Sequence, residues 1–201
     1  MSISRIFTGF CLSVSILFAV SCSGLTKSDK PAISKWWLEP YVAVEAPVTT
    51  DPPINVAVSI KAVPGLDTDR ILTLSDNSEL GQFASARWVG HSSELLTSLL
   101  ERSLQATGRF AVVSEAEASR SGNCLLEMEL RKFFANIGPG ERTISVSVSA
   151  QGVFQCGSVA PVDIQSDVSI AVADERLTVI VAAFQQAVDQ VTRDTIHKII
   201  K

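Results

Sequence analysis

Four cysteines, two histidines and 21 Asp and Glu side chains are where covalent, metal or acid-base chemistry could reside in this chain. Two histidines are too few for a multi-histidine metal site. No Gly-rich phosphate loop, Cys-x-x-Cys pair or His-Glu-x-x-His helix occurs. Gly90-His91-Ser92-Ser93 lacks the spacing of a nucleophile elbow. His91 reads as a loop residue and His197 as a surface residue of the last helix. Glu127 and Glu129 share a strand face, as a glycosidase carboxylate pair could. They alternate with Leu126, Met128 and Leu130, however, as solvent-facing residues do. Asp67 and Asp69 follow the turn Pro64-Gly65-Leu66, where Asp bonds local backbone. Trp36, Trp37 and Trp88 could form an apolar ligand surface, although core packing is the commoner fate of tryptophan. No catalytic residue, metal site or cofactor is assigned, and the chain does not read as an enzyme.

The cysteines carry more. Arg5 is the lone charge before an apolar run over residues 6–20, too short to span a bilayer core of roughly 30 Å. That pattern reads as a signal peptide over residues 1–21. Ala19-Val20-Ser21-Cys22 resembles a bacterial lipobox, whose cysteine is acylated, with palmitate among the chains, and becomes the new N-terminus. Cys11 does not compete, because bulky Phe10 precedes it. The alternative is that Cys22 merely lies near an ordinary cleavage site. Acylation contributes roughly 0.8 kcal/mol per buried methylene, and more than one chain makes an anchor stable. A polar stretch from Ser23 to Lys30 follows, so residues 22–35 read as a lipidated terminus and flexible tether. Ser23 after the cysteine favours the outer membrane, by resemblance to lipoprotein sorting rules.

Cys124 and Cys156 remain, and an even pair in an exported chain suggests a disulfide. The turn signal Ile137-Gly138-Pro139-Gly140-Glu141 lies midway between them, so a hairpin folded there sets them opposite each other. Parity agrees. Cys124, Leu126, Met128, Leu130 and Phe134 share one face of the first arm, and Ile144, Val146, Val148, Ala150, Phe154 and Cys156 one face of the second. Lys132 breaks the first pattern, as a bulge or an exposed strand end would. Two reduced, buried thiols are the alternative.

Around this hairpin the chain reads as one domain over residues 36–201. Its 201 residues are cramped for two domains, and 19% charged residues with mean hydropathy +0.28 oppose long disorder. A net charge of −4 without a basic block excludes a typical nucleic-acid binder. Strands are expected near Trp36 to Val44, over 54–63, 71–74, 82–89, 110–113 and 162–172, with a proline-rich linker over 46–53. Leu95, Leu96, Leu99, Leu100 and Leu104 form the stripe of one helix, begun at Ser92 and stopped by Gly108. Leu177, Ile180, Val181, Phe184, Val188, Val191 and Ile199 form another, with Asp174 as its expected cap. The expected fold class is α+β, a mostly antiparallel sheet with two amphipathic helices packed on one face.

The order of these pieces resembles the ABC-type transport auxiliary lipoprotein family, which includes lipoproteins of mammalian-cell-entry (MCE) type lipid transporters and the paraquat-inducible C-type lipoprotein. The carrying residues are the Val-rich strand, Val63-Pro64-Gly65-Leu66-Asp67, Arg70-Ile71-Leu72, Ala86-Arg87-Trp88, the Leu-rich helix and Gly108-Arg109-Phe110-Ala111-Val112-Val113. The resemblance implies a periplasmic domain lipid-anchored to the outer membrane, working with an MCE-domain protein and an ABC permease/ATPase complex in the trafficking of phospholipids or other hydrophobic molecules. It also implies self-association into a homo-oligomer. An outer-membrane assembly or envelope-structural lipoprotein that carries no lipid is the alternative. Arg87-Trp88 is either a partner contact or a fold-stabilising corner.

Overall fold

A computed structural model describes residues 32–42, 52–118 and 123–200. The chain divides into two units, Met1–Ala32 and Ile33–Lys201. Cys11, Cys22 and the signal segment lie outside the described residues, and the second unit holds the fold. Its strands are β1 (Ser34–Trp36), β2 (Ile54–Ala62), β3 (Arg70–Ser75), β4 (Leu80–Trp88), β5 (Phe110–Val112), β6 (Cys124–Gly138), β7 (Arg142–Cys156) and β8 (Val162–Ala171). Its helices are α1 (Ser92–Ala106), α2 (Glu115–Ala118) and α3 (Leu177–Ile200). The class is α+β, as the alternation of patterns implies.

The β6–β7 hairpin is the spine. It turns at Gly140, whose φ of 78° suits a residue without a β-carbon. On its far side β7 pairs with β8, antiparallel. On its near side β6 has two partners in succession, both parallel. Val56 to Ala62 of β2 run beside Cys124 to Leu130, and Leu72 to Ser75 of β3 run beside Phe134 to Ile137. Then β5 lies beside β2, while β4 and β1 extend the sheet from β3. Antiparallel pairing predominates by length, but these parallel contacts make the sheet mixed.

Where β6 changes partner, it bulges. Leu130 pairs with Ala150 but Lys132 with Ser149, so Arg131 is the extra residue. A bulge inverts the pleat beyond it. Phe133, not the expected Phe134, therefore joins Trp88 and Phe184 in the core. Phe134 is buried on the other face, in register with Leu72 of β3 and Ser147 of β7. A second shift leaves Ile144 as the extra residue of β7, exposed rather than inward as its parity suggested. The two shifts cancel, so Cys124 meets Cys156 directly.

These cysteines are joined, with Cα atoms 4.1 Å apart. The bond closes the hairpin at the end opposite its turn. A chain-entropy argument assigns such a loop about 3 kcal/mol, but strand pairing already holds the ends together. We expect the double substitution C124A/C156A to cost about 2 kcal/mol in urea unfolding, with the wild type under reductant losing a similar amount.

Both long helices cover one face. α1 packs on β2 and β5, and α3 on β7 and β8. Leu95, Leu96, Leu99, Leu100 and Leu104 of α1 are buried, as are Ile180, Phe184, Val188 and Val191 of α3. The helical periodicity predicted these stripes. The cap expected of Asp174 is displaced. Its carboxylate accepts the Arg176 N–H at 2.8 Å, forming a turn ahead of α3, which begins at Leu177.

Candidate functional site

The segments Pro64 to Arg70 and Ala86 to Ser93 converge on one corner. Trp88 N–H donates to the Asp69 carbonyl at 2.7 Å, and Ser92 N–H donates to the Thr68 carbonyl at 3.2 Å. The Ser92 hydroxyl donates to the Leu66 carbonyl at 2.7 Å. The Ser93 hydroxyl donates to Asp67 Oδ1 at 2.6 Å, and the Ser93 N–H does so at 3.3 Å. Arg87 lies 3.7 Å from Asp69. A turn that binds its own backbone was expected here. Instead the Asp67 carboxylate reaches across the chain to the start of α1, where a negative charge also suits the helix dipole, while Asp69 lies by Arg70 and Arg87. Trp88 is 1% exposed. Arg87-Trp88 is thus the fold-stabilising corner, with Trp88 in the core.

The Ser93 hydroxyl holds the Asp67 carboxyl below the usual carboxylate range, assisted by the Ser93 amide and by His91 and opposed by burial. A depressed folded value means that the stabilisation is present at neutral pH and is lost as pH falls through that value. Half of the Asp67 side chain is exposed, so the effect stays below about 1 kcal/mol. Asp67→Asn is expected to lower stability at pH 7, with the gap closing below about pH 4. Urea titrations across that range check it.

The remaining sequence candidates separate. Trp36 is half-buried beside Trp88 in β4, while Trp37 is 50% exposed, so the three tryptophans make no common surface. Glu127 and Glu129 face solvent, Glu129 bonding Arg131 at 2.7 Å. His91 is the exposed residue before α1, and His197 is exposed near the end of α3. Among the described residues, no cluster of His, Cys, Asp and Glu is suited to hold a metal.

The described residues also form a trough, an apolar gap beneath the helices and a strap. An open trough of about 710 Å³ lies over β2, β6, β7 and β8, with Lys61, Glu127, Arg131, Gln151, Asp163 and Gln165 among its lining residues. Its charges have both signs. Beneath the helices is an apolar gap of about 30 Å³, enclosed by residues such as Ile60, Leu100, Leu130, Val148, Val188 and Val191. The strap follows β1. Trp37 sits under the guanidinium of Arg102 of α1, 5.7 Å from the ring centre. Leu38 is completely buried. The Gln185 side chain of α3 clamps Glu39 as a strand neighbour would, accepting its N–H at 2.8 Å and donating to its carbonyl at 2.9 Å. Tyr41 lies 5.3 Å beneath Arg193 of α3. Contacts within the stretch 37–41 thus tie the N-terminal edge to both helices. Sequence offers only a weak signal for this, an aromatic-rich stretch around Pro40. Gln185 also donates to Asp189 at 2.8 Å, while burial pushes the Asp189 carboxyl above its ordinary range.

Among the described residues, no helix is long and apolar enough to cross a membrane. A family model described as ABC-type transport auxiliary lipoprotein component matches residues 38–195. The fold is similar to the crystal structure of an uncharacterized protein, at 12% identity and TM-score 0.65 over 84% of this chain and 99% of that one. It is also similar to a DUF330 protein from Xanthomonas campestris, at 18% identity and TM-score 0.64 over 82% of this chain and 92% of that one. At these identities the likeness establishes the fold alone. Nothing among curated proteins matches.

Proposed function

The chain belongs to the ABC-type transport auxiliary lipoprotein component family, and on that premise we propose an outer-membrane-anchored periplasmic adaptor for an MCE-type lipid transport system. In this reading Cys22 carries the anchor, the following residues form a tether to β1, and the folded domain docks an MCE-domain protein with its ABC permease and ATPase. The domain supplies position, and ATP hydrolysis belongs to the partners.

One observation carries the choice of adaptor over carrier. The apolar gap beneath the helices, about 30 Å³, is close to the volume of one water molecule. Pockets that enclose small ligands run to roughly 300–1,000 Å³. The larger concavity is the trough, open and lined by charges of both signs, which suits a protein surface better than an alkyl chain.

Photo-crosslinking residues placed at Glu127 and Gln151 in the trough test the reading in intact cells. Mass spectrometry is expected to identify an MCE-domain protein or ABC permease in the adduct. Capture of β-barrel assembly components instead would favour an envelope-assembly role. Cys22→Ala is expected to move the protein from the membrane pellet to the soluble periplasmic fraction. Continued sedimentation with membranes would disprove the anchor.

A further inference from the structure

The groove beside Trp37 is an exposed apolar surface that the adaptor reading leaves unused. It measures about 230 Å³ and is lined by Trp37, Val89, Leu95 and Leu99, with Glu94 and Arg102 as its charged members. Trp37 is 50% exposed and Val89 39% exposed, and they are neighbours because Val89 N–H donates to the Trp36 carbonyl at 3.1 Å. At the other end of β1, Ile33 is 52% exposed, and Lys35 is exposed between them. A short edge strand carrying Lys35 is thus flanked by exposed Ile33 and Trp37, with Val89 after β4 and Arg102 of α1 beside the tryptophan.

We infer that this surface, centred on Trp37 and Val89, rests on the phospholipid leaflet that holds the protein's own anchor. The inference rests on acylation at Cys22. Ten residues lie between Cys22 and Ile33, and the eleven steps across them span at most about 40 Å in any conformation. The N-terminal end of β1 is therefore held within that distance of the bilayer, which raises the local concentration of lipid for whichever apolar surface lies nearest. The chemistry fits the headgroup layer. Tryptophan is enriched at membrane interfaces, where its ring lies among acyl carbonyls while nearby cations meet phosphates. Arg102 is already positioned over the Trp37 ring, and Lys35 precedes it by two residues. The trough, with its mixed charges, has no such affinity for an apolar layer and stays available to a protein partner.

Trp37 also supplies the probe. Of the three tryptophans, Trp88 is buried in the core and Trp36 is half-buried beside it, leaving Trp37 as the one open to an external quencher. The full-length acylated protein would be reconstituted into vesicles of phosphatidylethanolamine and phosphatidylglycerol. These would contain phosphatidylcholine brominated at either shallow or deep chain positions. Flotation reports the anchor separately from the fluorescence. We expect the protein to float, and shallow bromines to remove about a third of the emission, more than deep ones do. Trp37→Phe should still float but lose the quenching. Val89→Ser should weaken it without altering flotation. Floating protein whose emission ignores bromine would overturn the inference, as would quenching that survives in Trp37→Phe. Protein that fails to float would remove the anchor and this inference with it.

Discussion

One methyl group added at Gly152 is expected to cost the domain more than about 3 kcal/mol. Gly152 sits in β7 with strands on both sides, in register with Met128 of β6 and Ile164 of β8. A β-carbon there would enter the space of the Glu127 carbonyl oxygen and come within 2.8 Å of Met128 Cα. The obstacle is backbone, held by hydrogen bonds on either edge, so no side chain can rotate away. Relief requires the β6–β7 pair to part at mid-length. Urea unfolding of Gly152→Ala against the wild type measures the cost. Gly140→Ala is the control, because its added carbon meets no atom within 4 Å and only the left-handed backbone is strained, at about 1 kcal/mol. Equal midpoints for the two variants would show that the strands yield at residue 152.

Trp88→Ala should be comparably damaging, at roughly 3–5 kcal/mol. Its ring lies 5.4 Å from Phe133 and 5.1 Å from Phe184, and those two are 5.1 Å from each other. The cluster joins three elements, the end of β4, the stretch of β6 after its bulge, and α3. Truncation leaves a cavity with walls on three independent segments, which cannot all collapse into it. Trp88→Phe should be far milder, because the indole N–H has no hydrogen-bond partner among the described residues and little but volume is lost. Thermal unfolding followed by near-ultraviolet circular dichroism separates the two. Similar losses for both would show that the indole N–H holds a partner.

What was legible in the sequence follows the range of the interaction. The meeting of Cys124 with Cys156 could be read because a hairpin is local, and its turn marks its own midpoint. The helix stripes were legible for the same reason. The choice of Phe133 over Phe134 was not, because Arg131 bulges where β6 passes from β2 to β3, and those partners lie 62 or more residues earlier in register. Parallel pairings depend likewise on distant segments. The corner was half legible. Its residues stood out as motifs, but only folding brings Asp67 to Ser93 across 26 positions. The strap escaped sequence reasoning, since Gln185 and Glu39 are separated by 146 positions and neither type is diagnostic. For the site, Cys22 is legible only as a motif, and the trough and the Trp37 groove need the assembled sheet.

The hairpin is a covalent ring. Peptide bonds run through its turn at one end, and sulfur joins its arms at the other. A protease cut at Gly140 would open the chain without dividing the molecule. Its two fragments would migrate as one band until a thiol is added, then separate. Exposed turns tolerate inserted sequence, so a reporter peptide placed there would leave the sulfur link to keep the arms in step.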